Sequence, residues 1–104
     1  MDLACNLVKA DNLLARLKGL LGRNSLPPGE ALLLKPCNGI HTFGMRFAID
    51  VIFLDRENRI VAVTKELPPN HLTRIYFHAA SVLELPAGTV EATATAIGNQ
   101  IEIC

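Results

Sequence analysis

Between Cys37 and Asp50 the chain gathers a thiol, a carboxamide, an imidazole, a hydroxyl, a thioether, a guanidinium and a carboxylate. They belong to Cys37, Asn38, His41, Thr42, Met45, Arg46 and Asp50. Three chemistries are open to such a set. Cys37, His41 and Met45 offer sulfur, nitrogen and thioether donors that suit copper. Residues four apart on a strand lie roughly 13 Å apart, whereas ligands of one ion must all come within about 2–2.5 Å of it. Core packing accounts for Cys37 and Met45 with less demand, so no metal and no cofactor is expected. The second chemistry is acid–base. His41 titrates near neutrality and Asp50 can orient it, although strand parity sets them on opposite faces and the pair needs a bend between them. No nucleophile elbow, phosphate loop or zinc-hydrolase motif accompanies them. The third is recognition. Thr42, Arg46 and Asp50 share parity, Gly44 between the first two permits close approach, and Arg46 can hold an acidic group bidentately, with Arg23 as a second cation. Arg46 and Asp50 can instead form a structural ion pair.

The elements that must position these residues follow from periodicity. Residues 40–55 (IHTFGMRFAIDVIFLD) alternate with period two, His41, Phe43, Met45, Phe47, Ile49, Val51 and Phe53 on one face and small or polar residues on most of the other. A stretch of this length exceeds a usual strand, so a bend or bulge near Gly44 or Ala48 is expected. Leu32–Leu34 reads as a buried strand, and Asn38-Gly39 as a turn. Residues 55–58 read as a polar hairpin loop in which Asp55 shapes the turn, and 59–64 as the returning strand. Residues 71–80 read as a loop with at most a short strand at 75–77, and His71 and His78 as surface residues. Residues 81–85 form a strand closed by the Pro86-Ala87-Gly88 turn. Residues 90–97 are a short helix or a strand, and 100–103 a last strand. In SVLEL, Glu84 gains a cross-strand pair if a basic residue faces it. At the N-terminal side, Leu13, Leu14, Leu17, Leu20 and Leu21 mark one face of a helix over 11–22, started by Asp11 or Asn12 and ended by Gly22. The fold expected is mainly β (α+β): a single domain over 1–104, a small, bent, largely antiparallel sheet or partly open β-barrel with one N-terminal helix.

Composition narrows the function. The chain has 104 residues, half of them hydrophobic, enough for one core. Ten basic residues balance ten acidic ones, which argues against a nucleic-acid binder. Cys5, Cys37 and Cys104 form no CxxC pair, which excludes a zinc ribbon or a thioredoxin-type site and suits a reduced, cytoplasmic chain. MDLACNLVKADNLL lacks the pattern of a secretory signal, and no apolar run approaches a membrane span. Neither nucleic acid nor a membrane is therefore an expected partner.

The blocks Leu20-Leu21-Gly22-Arg23, Pro36-Cys37-Asn38, His41-Thr42-Phe43-Gly44-Met45-Arg46-Phe47, Ile49-Asp50-Val51, Phe53-Leu54-Asp55 and Val82-Leu83-Glu84-Leu85-Pro86-Ala87-Gly88 follow one another in this order. Together they resemble the bacterial and archaeal domain of unknown function 192 family over most of the chain. The chain departs from that family's pattern at Ala48, where members often carry proline, and at Asn70-His71, where many carry tryptophan. The resemblance implies a small, mainly β fold and no established reaction. The function expected is that of a small non-catalytic binding or accessory protein. Its site is the 41–50 strand with Thr42, Arg46, Asp50 and Arg23, and its partner a protein or a small anionic ligand. The alternative is a small enzyme using His41 and Asp50.

Overall fold

The computed structural model describes residues 6–10, 25–26 and 30–101. Five strands make one open sheet: β1 (Asn6–Ala10), β2 (Glu30–Leu34), β3 (Ile49–Leu54), β4 (Ile60–Leu67) and β5 (Ser81–Pro86), in the order β1-β2-β5-β3-β4. The four strands from β2 to β4 pair antiparallel, and β1 joins β2 in parallel. No pairing joins β1 to β4, so the sheet does not close into a barrel. The expected helix over 11–22 and Arg23 lie outside the described residues, as do Cys5 and Cys104.

Both faces of the sheet are buried, because β3 and β5 lie inside it and carry apolar residues at both parities. Val51, Phe53, Val82, Leu32 and Leu34 face one layer with Met45 and Leu26. Ile52, Leu54, Leu83, Leu85 and Leu33 face the other with Val90 and Ile101. Every residue of β3 is buried. At about 1.5–3 kcal/mol per large apolar side chain removed from water, these two layers are the main source of stability.

The first layer is covered by two segments that run side by side. Thr42 N–H donates to His71 O at 2.8 Å, Thr73 N–H to Ile40 O and Tyr76 N–H to Asn38 O, both at 2.9 Å. This double loop tucks Ile40, Phe47 and Tyr76 against the core. Tyr76 also lies on Phe53, ring centroids 4.5 Å apart. Gly39 makes the approach possible: a Cβ there would meet Arg74 O at 3.2 Å and Ile75 Cγ1 at 3.3 Å. The second layer is covered by a single helical turn, α1 (Thr89–Ala92), entered through Gly88 at φ 92°, and by residues 98–101, hydrogen-bonded along the start of β4.

Three expectations change. The strand expected over 40–55 is only Ile49–Leu54. Residues 41–48 leave the sheet because Gly44 turns the chain at φ 81° and Thr42 bonds to the neighbouring loop rather than to a strand. Asn38-Gly39 is a site of close approach, and Gly39 takes no positive φ. Glu84 faces Leu32 and Val51 across the ladder, not a basic residue.

Candidate functional site

The sequence-predicted residues divide into those that hold the fold and those at its surface. Asp50 is 1% exposed. Its Oδ1 accepts the N–H of Glu66 and its Oδ2 the N–H of Val90, each at 2.8 Å. The first bond fills a β-bulge: Ile49 pairs with Leu67 and Val51 with Thr64, leaving Lys65 and Glu66 opposite Asp50, with Glu66 at φ 50°. The second satisfies an N–H that a helix start leaves without an intrahelical partner. Thr42 is also fully buried. Its hydroxyl donates to Pro68 O at 2.7 Å and accepts His71 N–H at 2.9 Å. Both side chains fasten distant segments together.

His41 and Asp50 are not brought together. The His41 ring is exposed, accepts the Phe43 N–H at Nδ1 and stacks on Phe43, while both oxygens of Asp50 are held inside by backbone. Nor does Asp50 form the ion pair with Arg46, whose side chain is exposed. Met45 is in the core, Cys37 half-buried and His41 outside, so that triad does not converge. No cluster of His, Cys, Asp or Glu suited to a metal occurs among the described residues.

The open concavity lies at the other end of β3. A groove of about 770 Å³ is bounded by the turn after β2, the β3–β4 hairpin loop and the end of the double loop, within the size range of ligand sites. Its base is stitched by Cys37 N–H to Ala80 O at 3.1 Å and Ala80 N–H to Leu54 O at 2.7 Å. Lys35, Asn38, Arg56, Phe77 and His78, all exposed, line it together with the half-buried Cys37. Asp55 also borders the groove, but its Oδ1 is taken by the N–H groups of Glu57 at 2.8 Å and Arg59 at 3.0 Å. Neither Lys35 nor Arg56 pairs with an acid among the described residues. The lining thus offers two cations, against one carboxylate already engaged in its own turn.

Sequence reasoning missed this groove. Lys35 and Arg56 carried no motif, and their three loops are far apart in the chain. The only local signal was that all three loops read as breaks between strands.

Glu84 stands apart. It is 4% exposed, its Oε2 has no hydrogen-bond partner among the described residues, and burial pushes its pKa up from 4.5 to about 7.

An open mixed sheet with loops packed on one face and a helical turn on the other defines a small, mainly β fold. The chain belongs to the DUF192 family, described as an uncharacterized ACR, whose sequence profile matches residues 2–103. It is similar to a UPF0127 protein of Pyrococcus abyssi, 37% identical over 102 residues, covering 89% of this chain and 81% of the relative. Its fold is that of a Novosphingobium aromaticivorans protein of unknown function, with a TM-score of 0.84 at 18% identity over 92% of this chain and 73% of the other. A Sinorhizobium meliloti protein proposed as a transcription regulator has a TM-score of 0.82 at 21% identity, over 90% of this chain and 78% of that one. These two likenesses establish the fold. No helix among the described residues is long and apolar enough to cross a membrane.

Proposed function

We infer that this protein is a binding domain that takes an anion-bearing small ligand in the groove beyond the end of β3. One observation carries the reading: Lys35 and Arg56 line a ligand-sized concavity without an acidic partner among the described residues, while the neighbouring Asp55 is committed to its turn. A guanidinium and an ammonium suit a phosphate or a carboxylate. Burial and full hydrogen bonding of Thr42 and Asp50 favour the groove over the 41–50 segment as the site. The same burial of Asp50 leaves its carboxylate unsuited to work as an acid–base partner of His41, which favours binding over catalysis.

The test is a titration with inorganic phosphate and glycerol phosphate, followed by amide chemical shifts. Binding should weaken about tenfold or more in Lys35→Ala and in Arg56→Ala, the loss of one charge-assisted contact. It should be unchanged in Arg46→Met. The reverse pattern would place the site at residues 41–50 and overturn the assignment.

A further inference from the structure

We propose that the anion held in the groove is a phospholipid headgroup and that the domain docks on an anionic bilayer surface through its double loop. The proposal rests on the groove reading above and adds the partner. Its first observation is apolar exposure. The double loop turns Ile40, Thr42 and Tyr76 inward, and on its outer side Phe43 is 48% exposed, Leu72 69%, Ile75 60% and Phe77 87%. These are four of the five large hydrophobic side chains exposed among the described residues, and they sit on two segments held by hydrogen bonds. A soluble anion needs none of them. Leu72 and Ile75 offer no ring for a nucleic-acid base to stack on, but they suit the boundary between headgroups and acyl chains.

The second observation is charge. Residues 35–49 and 68–80 contain Lys35, Arg46, Arg74 and all three histidines of the chain, and not one Asp or Glu. The chain as a whole carries ten basic and ten acidic residues; at the groove, Asp55 is bound to its own turn and Glu57, beside Arg56, pairs with Arg59, and Glu66 and Glu91 lie outside these two segments. Such a separation orients a neutral molecule on a negative surface. The third is continuity: Phe77, the most exposed of the row, also lines the groove. A headgroup phosphate between Lys35 and Arg56 would therefore sit beside a side chain able to enter the acyl boundary. No helix among the described residues is long and apolar enough to cross a bilayer, and docking through a loop surface needs none.

The experiment is flotation of the protein with vesicles of phosphatidylcholine alone, or of phosphatidylcholine and phosphatidylserine in about a two-to-one ratio. We expect binding to the anionic vesicles only. Each of Lys35→Ala and Arg56→Ala should weaken it about fivefold, and Leu72→Ser with Ile75→Ser, neither of which lines the groove, should abolish it. That double variant should melt as the parent does and still show glycerol phosphate shifting the groove amides. Equal binding to both vesicle types overturns the proposal, as does anionic-vesicle binding that ignores Lys35 and Arg56. If glycerol phosphate titrates the groove but no vesicle is bound, the bilayer inference falls and the groove reading stands. If neither binds, both fall. A dimer in sedimentation that Leu72→Ser with Ile75→Ser dissolves would assign the apolar row to a second copy of this chain, and would also overturn it.

Discussion

Strand β3 has an aspartate near each end, and the two do different work. Asp50 reaches across 16 and 40 residues of chain, to the backbone of Glu66 and Val90. Asp55 reaches two and four residues, to Glu57 and Arg59. The first ties β4 and α1 to the middle of the sheet and is buried; the second shapes its own hairpin and leaves the loop open to solvent. A carboxylate spent on distant backbone closes its end of the molecule. One spent on a local turn leaves its end concave, and there Lys35 and Arg56 pair with no acid among the described residues. Glu84 is a third case, buried like Asp50 but with no donor on Oε2 among the described residues.

The largest effect should come from breaking the closed end. Asp50→Ala leaves two inward-facing N–H groups without an acceptor and should cost about 3–5 kcal/mol, since each charge-assisted bond lost is worth about 1.5–3 kcal/mol. Asp50→Asn, which keeps one acceptor oxygen, should cost about half as much. Arg46→Met should change stability by less than about 1 kcal/mol, as for an exposed charge. Chemical denaturation measures all three; an Asp50→Ala protein that unfolds with the parent would dissolve the contrast between the two ends.

Glu84 should respond in the opposite direction. Its folded pKa of about 7 lies above the ordinary 4.5, so between those values the folded state binds more protons than the unfolded state. Stability should therefore fall as pH rises from about 4.5 to about 7 and be flat above, with a total change on the order of 3 kcal/mol. Glu84→Gln should remove this slope and be the more stable protein at pH 8. Melting curves across that range check it, and a parent whose stability rises over the same interval would show that the carboxyl has a partner.

Smaller effects belong to turns. Gly88→Val should cost roughly 1–3 kcal/mol through φ alone, because a Cβ at Gly88 meets nothing within 4 Å. Asp55→Ala should cost about 1 kcal/mol, as for a lost local cap, well below Asp50→Ala. If the two aspartates cost the same in thermal melts, the reach of a carboxylate along the chain does not set its structural role.

How much of this was legible beforehand depended on whether the cause was local. The β3–β4 hairpin announced itself through Asp55-Arg56-Glu57-Asn58 between two apolar runs, and the end of β5 through the Pro86-Ala87-Gly88 turn. The true end of β3 did not. Alternation from His41 to Phe53 runs on without a break, and what removes 41–48 from the sheet is bonding to Pro68 and His71 of the double loop. Asp50 drew notice as a chemical group, but its partners are backbone N–H groups, which carry no sequence signature. The groove was invisible for the same reason: Lys35, Arg56 and His78 each belong to an ordinary turn, and only the sheet order brings those turns to one end. β1 was also missed, since five residues with Lys9 among them give too short a pattern to read.

The central claim is that the open end of the sheet, and not the 41–50 segment, is where this domain binds. Glycerol phosphate titrated into the isotopically labelled protein, with every backbone amide followed at once, tests it most directly. The account predicts shifts at residues 35–38, 55–58 and 77–81 that disappear in the Lys35→Ala, Arg56→Ala double variant and persist in Arg46→Met. Shifts centred on His41 to Arg46 and lost in Arg46→Met, or no shifts at all, would contradict it.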